Sequence, residues 1–134
     1  NFTVYRWMPN RFEHLKACDL VIARPGHGTL THTICYGKPA ILVPTPSHTE
    51  QINNARRAVE LGVAEMIEQG DLTKRSLLAT VERMLKDTGI RERARQIQDD
   101  ISILNGVETA VQTIMEIAEG GTAASPPEKS LEAN

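Results

Sequence analysis

The period of apolar and polar positions changes repeatedly along the 134-residue chain, and each change marks an element. Residues 2–8 mix aromatic and β-branched side chains and read as a strand stopped at Pro9. Phe12 and Leu15 give residues 11–18 the apolar face of a short helix. Leu20, Val21, Ile22 and Ala23 run without a polar interruption, the pattern of a parallel strand covered on both faces. Gly26-His27-Gly28 breaks the chain before a helix over 29–36, and Gly37 ends that helix as a left-handed cap would. A second buried strand, 40–43, lies between Pro39 and Pro44. Ile52, Ala55 and Val59 recur at helical spacing over 50–61, Gly62 closes that segment, and 63–67 make a short last strand. Three helices follow. Leu77, Leu78, Val81, Met84 and Leu85 mark the first, with Thr73 as its N-cap. Ile90, Ala94, Ile97, Ile101 and Leu104 mark the second, and Val107, Val111, Ile114 and Ala118 the third. Residues 120–134 have little to bury and read as a disordered tail behind a single domain over 1–119.

Strands alternating with helices predict βαβ units, a parallel sheet and the α/β class. In such sheets ligands bind at the carboxyl ends of the strands, where loops lead into helices. That directs attention to residues 25–29 and 44–51. Composition adds little: 40% apolar and 24% charged residues are ordinary for a globular protein, and a net charge of −2 gives no sign of a strongly charged partner such as a nucleic-acid backbone. No apolar run reaches the length of a membrane span. Cys18 and Cys35 have no metal or redox spacing, so two free thiols in a reducing cytoplasm are expected. Asn1 leads straight into strand-like sequence, which predicts a fragment or a processed chain.

Each of the two loops carries a chemistry and a plainer alternative. Gly26 and Gly28 let a backbone approach a ligand, and first-turn amides with the positive helix end favour a phosphate. The same glycines also suit a simple tight turn, because Thr31 stands where a dinucleotide fingerprint needs glycine. Thr29 adds a hydroxyl. His32 lies one turn on, placed for a ribose or phosphate contact or for a satisfied half-buried imidazole. His27 and His32, five apart, miss the spacing of a helical zinc pair. Glu50 and Gln51 together offer acceptors and donors to sugar hydroxyls, or merely complement the helix dipole. Trp7 can stack on a base, although its size in an aromatic-poor chain reads first as a core residue.

Read as an ordered set, Trp7-Met8-Pro9-Asn10, Cys18-Asp19-Leu20-Val21-Ile22, Arg24-Pro25-Gly26, Gly37-Lys38-Pro39, Pro44, Glu50-Gln51 and Asn54-Ala55 carry a pattern. It resembles the C-terminal half of GT-B glycosyltransferases that use nucleotide-diphosphate sugars. These include the N-acetylglucosaminyltransferases of peptidoglycan synthesis and the UDP-glycosyltransferase superfamily. The resemblance spans about residues 4–67 and implies a partial Rossmann-like parallel sheet followed by C-terminal helices. It places Trp7 against the uracil, with Asn10 where the family has glutamine, and the Met8 backbone at the base edge. Gly26, His27, Gly28 and Thr29 would hold the diphosphate, and Glu50 and Gln51 the donor sugar. Where the family carries a glutamate for both ribose hydroxyls, this chain has His32.

The activity implied is transfer of a hexose or N-acetylhexosamine from a UDP-sugar to a hydroxyl acceptor, with no cofactor and no protein-bound metal. The general base and acceptor site would belong to an N-terminal acceptor-binding domain or partner chain, through which the whole protein would meet a membrane peripherally. No residue here is offered as the base, and His27 is the one candidate for direct electrostatic help. The resemblance also implies a sheet ordered 3-2-1-4-5-6 that this chain enters at its third strand, so 2–8 would not neighbour 20–23. A non-hydrolysing sugar-nucleotide epimerase and a non-catalytic donor-binding subunit are the alternative functions.

Overall fold

The computed structural model describes residues 2–104 and 106–120, and the tail expected over 120–134 lies outside them from residue 121 onward. Two compact units divide the chain, Asn1–Ser102 and Ile103–Asn134. The first contains helix α1 (Arg11–Ala17), β1 (Val21–Ala23), α2 (His27–Cys35), β2 (Ala40–Leu42), α3 (Thr49–Glu60), β3 (Ala64–Met66), a 3₁₀ turn at Gln69–Asp71, α4 (Lys74–Lys86) and α5 (Thr88–Ser102). The second contains α6 (Gly106–Ala118), an amphipathic helix with none of its residues buried.

Three parallel strands in the order β1-β2-β3 form the sheet, with Ile22 opposite Ile41 and Ile41 opposite Glu65. β2 is central and buried on both faces, with Ile41 at 0% exposure. Its alternating side chains feed two cores. Ala40 and Leu42 pack with Ala55, Ala58, Val63, Ala64 and Ala94, backed by Leu30 of α2 and Ile97 of α5. On the opposite face Ile41 packs with Ile67 and Met84, backed by Leu77, Val81 and Ile90. The alanines of α3 let its backbone lie close to the sheet. Full burial of Ile41 alone contributes about 2–3 kcal/mol.

Helix α5 secures the far ends of the two crossover helices. Arg93 Nε donates to the Leu61 carbonyl (3.2 Å) beyond α3, and Gln98 Nε2 donates to the Cys35 carbonyl (3.1 Å) at the end of α2. Both contacts satisfy C-terminal carbonyls that a helix leaves unpaired. Gly37 and Gly62, with φ of 61° and 72°, turn the chain out of α2 and α3 as left-handed caps. Thr73 caps α4 in a reciprocal box with Ser76: the Ser76 amide donates to Thr73 Oγ1 (3.0 Å) and the Thr73 amide to Ser76 Oγ (2.9 Å).

Three sequence expectations are corrected. Residues 2–8 form no strand: a strand needs a hydrogen-bonded neighbour, and the single neighbour of β1 among the described residues is β2. Trp7 is therefore no core aromatic and stands 77% exposed. β1 is not covered on both faces either. Ile22 is 50% exposed, because α4 packs over β2 and β3 and leaves the β1 edge open. Finally, α2 begins at His27, two residues earlier than expected, so Gly28 lies inside its first turn and Gly26 alone makes the bend.

Gly37 meets two demands at once, because a Cβ there would also lie 2.3 Å from Gln98 Oε1 and 3.3 Å from its Cβ. At Gly62 the added atom would meet only Arg93 Cγ at 3.5 Å, an ordinary contact. Gly37→Ala should therefore lower stability by about 2–3 kcal/mol and Gly62→Ala by about 1 kcal/mol. Urea unfolding midpoints of the two variants check the order; equal losses would mean that crowding by α5 is unimportant.

Candidate functional site

Because all three strands run the same way, the loops after β1 and β2 emerge at one edge of the sheet and deliver the N-termini of α2 and α3 there. The start of α2 is bare. Gly26 supplies no side-chain cap, no acidic residue stands in the first turn, and the first intrahelical bond runs from the Leu30 amide to the Gly26 carbonyl (3.0 Å). The amides of the first turn therefore retain unmet donor capacity, with the positive end of the helix dipole behind them. The start of α4 differs, since its Thr73–Ser76 box already occupies those donors. A Cβ built at Gly26 or Gly28 would meet nothing within 4 Å, so the protein's own packing does not demand glycine at either position. What the two glycines leave is open space in front of the helix.

Hydrogen bonds tie the two loops together. The Arg24 guanidinium donates to Thr45 Oγ1, the Thr45 amide to Gln51 Oε1 (2.9 Å), and Asn54 Nδ2 to the Pro25 carbonyl (3.1 Å). Thus α3 reaches across to the turn that precedes α2. Gln51 already uses its carbonyl inside this network, which leaves its NH₂ and the exposed Glu50 carboxylate for an outside partner. Ser47, at φ 61°, is the one non-glycine left-handed residue among those described and bends the 44–48 loop around a cavity of about 320 Å³. Arg56, Met66 and Gln69 are among the residues on its other wall.

A larger cavity of about 580 Å³ opens between α1 and the first turns of α2. Its size suits a small ligand, for which roughly 300–1,000 Å³ is usual. Met8, Gly28, Thr29 and His32 line it, so four of the nine residues expected from sequence meet here. Gly26 and His27 stand at the same helix start without lining it, Trp7 is displaced into solvent, and Glu50 and Gln51 stand in the first turn of α3. Sequence reasoning missed Arg11 and His14, which join Leu15 and Cys18 on the α1 wall. Their spacing, i, i+3, i+4 and i+7, marks one face of a helix and was available from the sequence. Phe12, taken with Leu15 as the apolar face, instead turns to the His32 ring, edge-on at 4.9 Å between centroids, and to Tyr36 at 6.2 Å. The cavity is thus apolar at Met8, Leu15, Leu20 and Val21 and polar at Arg11, His14, Thr29 and His32.

Comparison with known proteins places this arrangement. Residues 1–119 match the glycosyltransferase family 28 C-terminal domain. The chain belongs to that family. Over 90 residues this glycosyltransferase domain is 36% identical to a UDP-N-acetylglucosamine–N-acetylmuramyl-(pentapeptide) pyrophosphoryl-undecaprenol N-acetylglucosamine transferase of Bacillus cereus, a match covering 66% of the chain and 25% of the relative. An uncharacterized glycosyltransferase of Methanosarcina acetivorans is 32% identical over 108 residues, 80% of the chain and 27% of the relative. Among solved structures, the calicheamicin glycosyltransferase CalG4 superposes with a TM-score of 0.74 at 28% identity, over 90% of the chain and 30% of that protein. The glycosyltransferase VinC, solved in complex with dTDP, gives 0.73 at 29% identity, over 82% and 27%. The domain spans about a quarter of the length of the curated relatives it matches. Its sheet and helices are those of the GT-B glycosyltransferase fold.

The inter-loop ties should matter to the shape of the site. Asn54→Ala is expected to reduce stability by about 0.5–1.5 kcal/mol and to speed hydrogen exchange of the Gly26 and Gly28 amides more than that of β2. Unchanged exchange at these two glycines would show that the Asn54–Pro25 bond does not hold the turn.

Proposed function

We propose that this domain binds the donor of a glycosyltransferase that moves a sugar from a UDP-sugar to a hydroxyl acceptor. The observation that carries the reading is the bare N-terminus of α2, opening beside a cavity with one apolar and one polar side. In this reading the first-turn amides of α2 and the Thr29 hydroxyl take the diphosphate. Met8 and the apolar wall face the base, and His32 reaches the ribose. Glu50 and the free NH₂ of Gln51 meet hydroxyls of the donor sugar, and Trp7 folds against the base only when a nucleotide is present. The Bacillus cereus relative is named for a UDP-sugar donor, which supports a nucleotide sugar of this class.

The chemistry supplied here is charge compensation. When the glycosidic bond to the diphosphate breaks, negative charge grows on the leaving phosphate oxygen. Amide donors already aimed at that oxygen stabilise the developing charge without reorganising. His27, on the exposed side of the same first turn, is the side chain best placed to add to that field. The general base and the acceptor pocket are assigned to a separate acceptor-binding domain or partner chain.

Gly28→Asp tests the phosphate assignment, since the new side chain has room and an acid in the first turn of a helix favours folding by about 0.3–1 kcal/mol. In the full-length protein it should weaken UDP binding at least ~30-fold, by placing a carboxylate against the diphosphate, with no loss of thermal stability. A variant that binds UDP as well as the parent would remove the diphosphate from this helix.

A further inference from the structure

We infer that the chain carries a second anion site, for a single phosphate group, at the edge of the sheet opposite the candidate donor site. Helix α5 crosses the amino ends of β1 and β2: its Ile90 joins the core on one face of the sheet, and Ala94 and Ile97 join the core on the other. There Arg91 and Arg95 line a cavity of about 100 Å³ with Lys38, Asp19 and Gly37. That is space for about three waters, the scale of one tetrahedral oxyanion and well short of the roughly 300 Å³ of a small-molecule pocket. Three cations face one carboxylate, an excess of two positive charges in a chain whose net charge is −2. The two ion pairs among the described residues, Arg57–Glu60 and Arg83–Glu65, involve none of these four groups. Arg91 Nε is shielded from solvent and has no hydrogen-bond partner among the described residues, a costly state for a charged donor. Arg91 and Arg95 also stand four apart on α5, where like charges repel.

The plainer use of these cations is to offset the negative carboxyl end of α2. That end amounts to about half a charge. Its carbonyls are already met, since the Gly37 amide donates to Ile34 (2.9 Å), the Lys38 amide to Thr33 (3.0 Å) and Gln98 to Cys35 (3.1 Å). More than one positive charge therefore remains. A phosphate group, at about −1.5 to −2, matches it and gives Arg91 Nε an acceptor. Lys38 is fixed beside it by a bond from Nζ to the Lys16 carbonyl (2.8 Å), which leaves two of its three protons to donate.

The test is NMR titration of the full-length protein, labelled with ¹⁵N, at constant ionic strength. Inorganic phosphate and glycerol 3-phosphate are added in parallel, with chloride as the control. At least one of the two should shift the Arg91 Nε–H and Gly37 amide signals saturably. Two charge-assisted bonds correspond to a dissociation constant on the order of 1 mM. The tighter ligand tells a free anion from a phosphate carried on a larger molecule. Arg91→Gln and Arg95→Gln should each weaken binding at least ~5-fold, and Asp19→Asn should tighten it about threefold by removing the opposing carboxylate. Equal shifts with chloride, or no saturable shift with either phosphate, overturn the inference. Shifts confined to the Gly26 and Gly28 amides report the other end of α2 and overturn it too. If the arginine variants fail to fold, Asp19→Asn decides, and an affinity no tighter than the parent's sinks the site.

Discussion

The complete burial of β2 between two unlike apolar layers is the constraint from which the rest of the domain follows. Ala40, Ile41 and Leu42 cannot leave water unless one layer covers each face, and their alternation sends Ile41 to α4 while Ala40 and Leu42 meet α2, α3 and α5. Parallel pairing on both sides of β2 then requires a crossover helix for each connection. Both crossovers necessarily start at the carboxyl edge. The helix ends that create the candidate site are thus a by-product of burying three residues.

Stabilising contacts and the candidate site lie at opposite ends of the same helices. At the carboxyl termini of α2 and α3, glycine caps, Arg93 and Gln98 satisfy the open carbonyls. At the amino terminus of α2 none of the described residues does, and the turn before it is instead braced from the side by Arg24, Thr45, Gln51 and Asn54. A helix start that is held rigidly yet left unsatisfied is preorganised for an anion, because its donors need neither be moved nor freed when the ligand arrives. Gln51 illustrates a double use: its carbonyl stiffens the loop while its NH₂ stays free.

The largest side chains of the amino-terminal segment show what a partly edged sheet leaves open. With a single neighbour for β1 among the described residues, aromatic and β-branched positions that read as a strand have nothing to pair with, and Trp7 stands in solvent. Ile22 is half-exposed for a different reason, because α4 covers β2 and β3 and leaves the face of β1 open. Apolar sequence specifies a wish for burial, and whether a surface is present to satisfy it is a separate matter.

Much was legible from sequence because it depends on local periodicity and on residues with narrow backbone preferences. The alternation of short apolar runs with helical stripes sufficed for a parallel α/β domain, and the caps at Gly37, Gly62 and Thr73 were readable one residue at a time. The ordered motifs were enough to point to the glycosyltransferase family, because spacing and order survive where single residues do not. The structure alone decided that α2 starts at His27, that Arg11 and His14 rather than Phe12 face the cavity, and that Phe12 orients His32. It alone decided that Asn54 reaches Pro25 across 29 positions. Those facts depend on how distant helices are rotated against a shared sheet, and the packing that sets the rotation has no signature within one segment of chain.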